Sequence, residues 1–264
     1  MMKKSNPPKN TDQNFDGIAN KFDNNIYGTT KGRLRHQLLK HQLLKWLPEN
    51  KTLSVFDIGG GTGEMSRVML ERGYKVMLND ISAESLELAK QKLSSFSHVD
   101  YIQGDLVNQQ TVESHVQQAD CVVCHAVLEW TIDPNMVIER LVAMLKPDGL
   151  LSLSFFNRDA AIFSNALYGN FEYIDRGLNV RNQVRLNPKN PQSPKDVIGW
   201  LESAGLRVEE SAGVRCFHDY MRDRDHQVEK YDQLLALEKS LATQEPYKWF
   251  GRYFHIIARH VNNR

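Results

Sequence analysis

The chain has 264 residues, 41% of them hydrophobic, which suffices for one large α/β domain with a buried core or for two small domains. Its 33 Lys and Arg residues balance 32 Asp and Glu residues, so a strong overall field is excluded, and any affinity for a polyanion must come from local clusters of cations. Three cysteines, no apolar N-terminal run and no stretch of roughly 20 apolar residues predict a reduced, cytoplasmic protein that does not enter a membrane.

The N-terminal part divides into a polar leader and a helix. Residues 1–13 are polar and contain prolines, which predicts disorder, and we expect residues 14–264 to form a single domain. A lid and a helix over 14–50 would form the N-terminal part of that domain. The helix is predicted to end before Pro48, since leucines recur at helical spacing ahead of it, at Leu34, Leu38, Leu39, Leu43 and Leu47.

Strands and helices alternate through the next hundred residues. The expected strands cover residues 53–58, 74–80, 99–105, 120–127 and 149–156, with helical segments between them. Alternation at this spacing implies right-handed crossovers, and therefore a parallel sheet covered by helices on both faces.

Residues 157–193 interrupt that alternation. They are rich in Asn, Arg and Pro, and we predict an insertion that lies over the carboxyl edge of the sheet. The alternation then resumes with a helix over 193–205, a strand over 207–215, a long helix across 223–242 and a final strand over 251–260.

A glycine-rich turn comes after the first strand in "VFDIGGGTGEM". Gly59, Gly61 and Gly63 allow the backbone to turn sharply and approach a ligand, with a helix N-terminus behind them. A nicotinamide fingerprint would need Gly or Ala where Glu64 stands. The G-x-G-x-G spacing, with Asp57 two residues ahead, is instead typical of S-adenosylmethionine (AdoMet) methyltransferases.

Two carboxylates end the next strands of the predicted sheet. Asp80 closes "MLND", where it can accept hydrogen bonds from both hydroxyls of a ribose. Asp105 and Leu106 come after the third strand, where the edge of an adenine would rest. Each carboxylate has an alternative interpretation as the cap of the following helix.

His125 lies at the carboxyl end of the fourth strand, in "HAVLEW". Parallel sheets bind ligands at this edge, although a hydrogen-bonded core histidine would give the same pattern. The sequence offers no nucleophile–base arrangement, so we predict no general base and a reaction governed by positioning. We also predict no metal site, because Cys121 and Cys124 lie in an apolar run typical of buried strand thiols.

Three segments carry cations without a carboxylate. They span residues 31–45, 176–195 and 246–264, and they are candidates for contact with a phosphate backbone. Ordinary solvated surface would account for them equally well.

The chain from Asn14 to about Arg259 resembles the bacterial tRNA 5-carboxymethoxyuridine methyltransferases. The segments that carry this resemblance are "NFDGIANKFDNNIYGTTKGRLR", "HAVLEW", "YGNFEYI", "GVRCFHDY", and "QEPY" with "GRYFHIIAR". The resemblance implies a Rossmann-like class I AdoMet-dependent methyltransferase domain, with a mostly parallel seven-stranded sheet, helices on both faces and an antiparallel last strand. It further implies that the enzyme esterifies the carboxylate of a wobble carboxymethoxyuridine, with AdoMet as cofactor and tRNA as partner.

The resemblance also implies which residues contact AdoMet. Arg35 looks like the family's contact to the AdoMet carboxylate, and an Arg fork suits a carboxylate better than Lys does. The remaining implied contacts, beside Gly61 of the turn, are Gly59, Gly60, Asp80, Asp105, Leu106 and His125.

The acceptor side of the site is predicted more loosely. Arg185 and Arg215 are candidates for the cation that steers the acceptor carboxylate, and Arg181 and Arg185 are candidates for phosphate contacts. Tyr27 and Tyr220 are candidates for lining the cleft. Two alternative functions stay open: a carboxyl methyltransferase for a small-molecule acid, and a non-catalytic module that binds AdoMet or RNA.

Overall fold

A computed structural model describes residues 28–49, 51–105, 112–178 and 190–260 of the protein. Within them, seven strands form one sheet in the order β3-β2-β1-β4-β5-β7-β6. The strands are β1 (Ser54–Ile58), β2 (Lys75–Asp80), β3 (Val99–Gln103), β4 (Ala119–His125), β5 (Leu145–Phe156), β6 (Leu206–Val214) and β7 (Tyr253–His260). The predicted leader over 1–13 and the start of the predicted lid lie outside the described residues.

Strand direction confirms the expected fold class. The strands β1 to β5 pair in parallel, whereas β7 runs antiparallel to both of its neighbours, β5 and β6. The order reverses between β1 and β4, and ligands bind open α/β sheets at the carboxyl ends of the strands beside such a reversal.

The described residues include nine α-helices. They are α1 (Thr30–Leu44), α2 (Glu64–Glu71), α3 (Ala83–Lys92), α4 (Pro134–Met144), α5 (Arg158–Leu167), α6 (Phe171–Asp175), α7 (Pro194–Ser203), α8 (His226–Glu229) and α9 (Tyr231–Leu241). Where a long helix was expected over 223–242, the chain instead forms α8 and α9. The break allows Tyr231 to pack on α1, where its hydroxyl donates to Gln37 Oε1 at 3.0 Å.

Apolar side chains alternate across the sheet and divide the core into two layers. Phe56 and Ile58 of β1 pack on one face with Val137 of α4 and Val197 of α7. Val55 points to the other face, which α1, α2, α3 and α9 cover. Both faces are therefore buried, as a parallel sheet requires.

The segment after β5 leaves the sheet and returns to the same place. Arg158 N donates to Gln192 O at 2.9 Å, and Gln192 N donates to Phe156 O at 2.9 Å. Asn157 begins α5 by accepting from Asp159 N at 3.0 Å, while its amide donates to Gly251 O at 3.0 Å. The described part of the segment thus projects from the carboxyl end of β5 as α5 and α6.

Candidate active site

The glycine turn connects β1 to α2 at the carboxyl edge of the sheet. Gly59, Gly61 and Gly63 adopt φ of 65°, 58° and 83°, a left-handed region that favours glycine. A Cβ at Gly61 would meet nothing within 4 Å, so this part of the turn borders open space. Gly60 faces the protein instead, since a Cβ there would lie 2.8 Å from the Asp57 carboxyl carbon.

Asp80 holds this turn against the end of β2. Its Oδ2 accepts from Gly61 N at 2.9 Å and its Oδ1 from Ser82 N at 2.8 Å. Asp105 comes close through the backbone, because Gly104 N donates to Asp80 O at 3.1 Å. The structure therefore brings Asp80 and Asp105 to one edge of the sheet, because β2 and β3 are parallel and end side by side. Leu106 lies outside the described residues.

Arg35 reaches this edge from the N-terminal helix. Thr29 begins α1 by accepting from Gly32 N at 3.3 Å, and the leucines after it are buried against the sheet. The Arg35 guanidinium carbon lies 5.0 Å from the ring centroid of Tyr253, the first residue of β7. The packed helix and this aromatic contact fix the side chain at the carboxyl edge.

A chain of hydrogen bonds under the sheet orients His125. His125 Nε2 lies 2.8 Å from Ser152 Oγ, and the same oxygen lies 2.8 Å from His255 Nε2. The chain ends on α1, where His255 Nδ1 lies 2.7 Å from Gln42 Oε1. The His125 and His255 rings meet edge to face at 5.4 Å.

The direction of these hydrogen bonds is set by the last of them. Gln42 presents Oε1 to His255, an orientation that leaves Gln42 Nε2 buried without a partner among the described residues; with Oε1 as acceptor, His255 carries its proton on Nδ1 and accepts the Ser152 hydroxyl at Nε2. Ser152 Oγ then accepts from His125 Nε2–H, which leaves a lone pair on His125 Nδ1. Burial lowers the pKa of His125 well below its ordinary value and the pKa of His255 to about 3, so both rings are neutral near pH 7.

Glu129 is a further buried acid beside the site. It is fully buried, and its Oε2 accepts from Phe156 N at 3.4 Å. Burial raises the pKa of Glu129 to about 7, against the opposing effects of two backbone hydrogen bonds and of Arg35. Near neutral pH this carboxyl is therefore only partly ionised.

Arg215 is occupied by an acidic partner. Its Nε and Nη2 lie 3.0 and 2.7 Å from Asp219 Oδ2, and the guanidinium carbon is 5.5 Å from the Tyr253 ring. Burial would raise the pKa of Asp219, but Arg215 and His218 outweigh it and hold that pKa far below its usual range. The charge of Arg215 is thus balanced within the protein.

The other acceptor candidates separate into two groups. The Tyr220 hydroxyl donates to Phe250 O at 2.9 Å, so it fixes the backbone before β7. Tyr27, Arg181 and Arg185 lie outside the described residues. Sequence reasoning missed Gln42, Ser152, Glu129, Tyr253 and His255, although the last two stand in the distinctive segment "GRYFHIIAR".

The described residues offer neither a cluster of metal ligands nor a membrane-spanning helix. No three of their His, Cys, Asp and Glu side chains form a group that could hold a metal ion. Within the same ranges, no helix is both long enough and apolar enough to span a membrane.

Sequence comparison finds methyltransferases among the relatives of this chain. A family model described as a methyltransferase domain matches residues 31–211. The chain is 42% identical over 251 residues to the tRNA 5-carboxymethoxyuridine methyltransferase of Escherichia coli (strain K12), a match that covers 94% of this chain and 96% of that protein. It is 35% identical over 171 residues to the ubiquinone biosynthesis O-methyltransferase of Xanthomonas axonopodis pv. citri (strain 306), which covers 61% of this chain and 65% of that one.

Structure comparison supports the fold. One chain of a methyltransferase–activator complex from Haloferax volcanii superposes with a TM-score of 0.64 and 16% identity, covering 95% of this chain and 99% of that one. An S-adenosylmethionine-dependent methyltransferase from Aquifex aeolicus gives a TM-score of 0.55, again at 16% identity, over 92% and 97% of the two chains.

Proposed function

This chain belongs to the tRNA 5-carboxymethoxyuridine methyltransferases, and from that membership we propose that it methylates the carboxylate of 5-carboxymethoxyuridine at the wobble position of tRNA, giving the methyl ester. The observation that carries this function is the length of the match. The tRNA enzyme aligns over 94% of the chain, whereas the ubiquinone enzyme aligns over 61%. AdoMet is the cofactor that this family and the fold imply.

The residues at the carboxyl edge fit AdoMet. The open space at the Gly61 Cβ position is where a ligand could approach the backbone, and a side chain would fill it. Each oxygen of the Asp80 carboxylate accepts a backbone hydrogen bond, which fixes the carboxylate at the edge where the ribose hydroxyls of AdoMet would bind. His125 Nδ1 is an acceptor to which no described residue is bonded.

Each part of AdoMet has a matching group at this edge. The Arg35 guanidinium would hold the methionine carboxylate, and His125 Nδ1 would accept from the neighbouring ammonium group. Gly59, Gly60 and Gly61 would allow the close approach of the methionine part. The ribose would rest on Asp80, and the adenine on Asp105 and Leu106.

The chemistry then needs little from the protein beyond positioning. Bound AdoMet supplies an activated methyl group on a sulfonium. A carboxylate acceptor has a pKa near 4 and is ionised at pH 7, so no side chain has to remove a proton from it. The residues of the edge therefore hold the two reactants in line and about 3 Å apart, which is the main source of rate in such a reaction.

One measurement tests the substrate and the reaction together. tRNA from cells that make carboxymethoxyuridine is treated with enzyme and AdoMet, and its nucleosides are analysed by mass spectrometry. We expect the mass of one methyl group to be added to carboxymethoxyuridine, and the added group to be released by mild alkali, as an ester is. An unchanged nucleoside would refute the function.

A parallel incubation separates the alternative acceptor. Labelled AdoMet is offered with either bulk tRNA or a protein-free metabolite extract. Label confined to small molecules would favour a carboxyl methyltransferase for a small acid, and no label in either would favour a non-catalytic module. We further propose that the enzyme acts in the cytoplasm, and that tRNA binding weakens steeply as salt is raised, because phosphate contacts release counterions.

A further inference from the structure

A cleft of about 600 Å³ lies between the end of β5 and the helices α5 and α6. Its described walls carry several aromatic and cationic side chains, including Phe156, Phe171, Tyr173, Arg176, Leu178 and Arg252. The proposed AdoMet contacts include none of these residues. A cleft of this size and lining can take a planar ring with a charged substituent.

Arg252 is the cation of this cleft that forms no ion pair with a described residue. Its Nη1 is buried, and no described residue accepts a hydrogen bond from it. Its guanidinium carbon lies 4.7 Å from the Phe156 ring centroid, and its charge is one of those that lower the pKa of Asp219. The other cation of the cleft, Arg176, is already paired with Glu172 at 2.9 Å.

The cleft is continuous with the cofactor edge through two rings. The Phe156 ring meets the Tyr253 ring edge to face at 5.5 Å, with Arg252 over the first and Arg35 5.0 Å from the second. Arg252 therefore stands at one end of this aromatic pair, and Arg35 and Arg215 stand at the other. If Arg35 holds the cofactor's carboxylate, Arg252 is placed to hold a second carboxylate two rings away.

The segment from Ile162 to Phe171, here called the apolar rim, is unusually apolar for a surface, and its Phe171 lines the cleft. Five exposed side chains crowd into ten residues: Ile162, Phe163, Leu167, Tyr168 and Phe171. Phe171 is 63% exposed and Tyr168 is 59% exposed. Exposed aromatic rings beside cations are the surface on which proteins stack unpaired bases of RNA.

We propose that this cleft binds the wobble nucleoside, with Arg252 holding the carboxylate that becomes methylated and the apolar rim stacking the neighbouring unpaired bases. The proposal rests on the proposed function and deepens it, because it selects a cation and a surface for the acceptor. Arg252 takes the role for which Arg215 was a candidate, since the Asp219 carboxylate already occupies Arg215. The rim also explains why a tRNA would be preferred to a small acid.

The test compares affinity for two forms of one tRNA. Binding of tRNA with carboxymethoxyuridine and of the same tRNA with unmodified uridine is measured in the presence of S-adenosylhomocysteine, which prevents turnover. We expect the wild type to prefer the carboxylate form by about 10- to 100-fold, as for a charged hydrogen bond. In Arg252→Gln that ratio should fall to about 1, and in Arg252→Lys it should take an intermediate value.

Two further variants serve as controls. Arg207→Gln loses the same charge from an exposed position on β6 and should keep the wild-type ratio. Phe171→Ala should weaken both tRNA forms alike and leave the ratio unchanged, and as a change of an exposed residue it leaves folding intact. A wild-type ratio in Arg252→Gln, with methylation by the wild type intact, would overturn this inference alone. Failure of the wild type to methylate carboxymethoxyuridine would overturn the proposed function and the inference with it.

Discussion

Gln42 of α1 and His255 of β7 are 213 residues apart in the chain, yet Gln42 Oε1 and His255 Nδ1 lie 2.7 Å apart in the core. This hydrogen bond joins the helix that carries Arg35 to the ring that, through Ser152, orients His125. Both proposed contacts to the methionine part of AdoMet therefore depend on the same packing of α1 against β7.

Removal of the Ser152 hydroxyl should disconnect the two histidines. In Ser152→Ala we expect AdoMet affinity to fall about tenfold, since an unpaired buried donor costs about 1–3 kcal/mol and His125 loses its fixed tautomer. Calorimetry measures the affinity, and nitrogen NMR of the imidazoles reports the tautomer. If Ser152 only filled space in the core, its removal would leave the His125 tautomer unchanged.

Ser154 provides the matched control for that variant. It lies two residues further along β5, is fully buried, and its hydroxyl has no hydrogen-bond partner among the described residues. Ser154→Ala should therefore preserve both AdoMet affinity and the His125 signals. Equal effects of the two substitutions would contradict the role assigned to Ser152.

Arg35 should contribute to affinity for AdoMet through its fork and not through charge alone. We expect Arg35→Ala to raise the dissociation constant for AdoMet by about 10- to 100-fold, the effect of a lost charged hydrogen bond, and Arg35→Lys to recover only part of it. Arg33, two residues earlier on α1, lies over the Tyr231 ring at 4.5 Å and is exposed. Arg33→Ala should leave the constant unchanged, and a loss as large as that of Arg35→Ala would return Arg35 to a structural role.

Gly61 and Gly73 have similar backbone conformations, but only Gly61 faces the proposed cofactor space. Both adopt positive φ, 58° and 78°, and a Cβ at either would meet no atom within 4 Å. Alanine should therefore destabilise both positions similarly, by roughly 1 kcal/mol for the left-handed backbone. Only Gly61→Ala should also abolish AdoMet binding, measured by calorimetry, because its methyl group would project into the proposed cofactor space. Unimpaired binding by Gly61→Ala would contradict that placement.

Glu129 should give the free energy of unfolding a specific dependence on pH. Its pKa is about 7 in the folded protein, above an unfolded value near 4.3, so the folded state holds the proton more tightly. The free energy of unfolding therefore falls as pH rises between about 4 and 7, by about 4 kcal/mol for a fully buried group.

Glu129→Gln should remove that contribution while retaining an acceptor for Phe156 N. Denaturant unfolding at several pH values measures the free energy of unfolding of the variant minus that of the wild type. We expect this difference to increase as pH rises and to become constant above about pH 8. Asp57, whose pKa burial raises to about 6, acts alike in both proteins and cancels from the difference. A difference independent of pH would show that Glu129 titrates normally.

The ion pair of Arg215 and Asp219 should be structural. Both side chains are largely buried, so Arg215→Met should lower the free energy of unfolding by about 3 kcal/mol, since it removes the main charge partner of a buried carboxylate. Arg207 and Glu209 form a matched pair at 2.6 Å with Arg207 exposed, and Arg207→Met should cost less than about 1 kcal/mol. Denaturant unfolding of the two variants measures both losses in the free energy of unfolding. Losses of similar size would mean that the pair of Arg215 and Asp219 contributes no more than an exposed ion pair.

The sequence alone determined the parts of this protein that depend on local chemistry. Gly59, Gly61 and Gly63 were predicted to form a sharp turn because few other residues accept positive φ, and all three adopt positive φ in the structure. Alternating strands and helices placed Asp80, Asp105 and His125 at one edge of a parallel sheet, since parallel strands end on the same side.

Only the tertiary structure decided what surrounds those residues. No spacing in the sequence connects Gln42 to His255 or Phe156 to Tyr253, because these contacts form only when α1 and β7 pack on the sheet. The sequence likewise offered Arg215 as a free cation, whereas folding pairs it with Asp219 and leaves Arg252 over an aromatic ring. Whether a cation is paired depends on contacts between residues far apart in the chain, and such contacts cannot be read from the order of the residues.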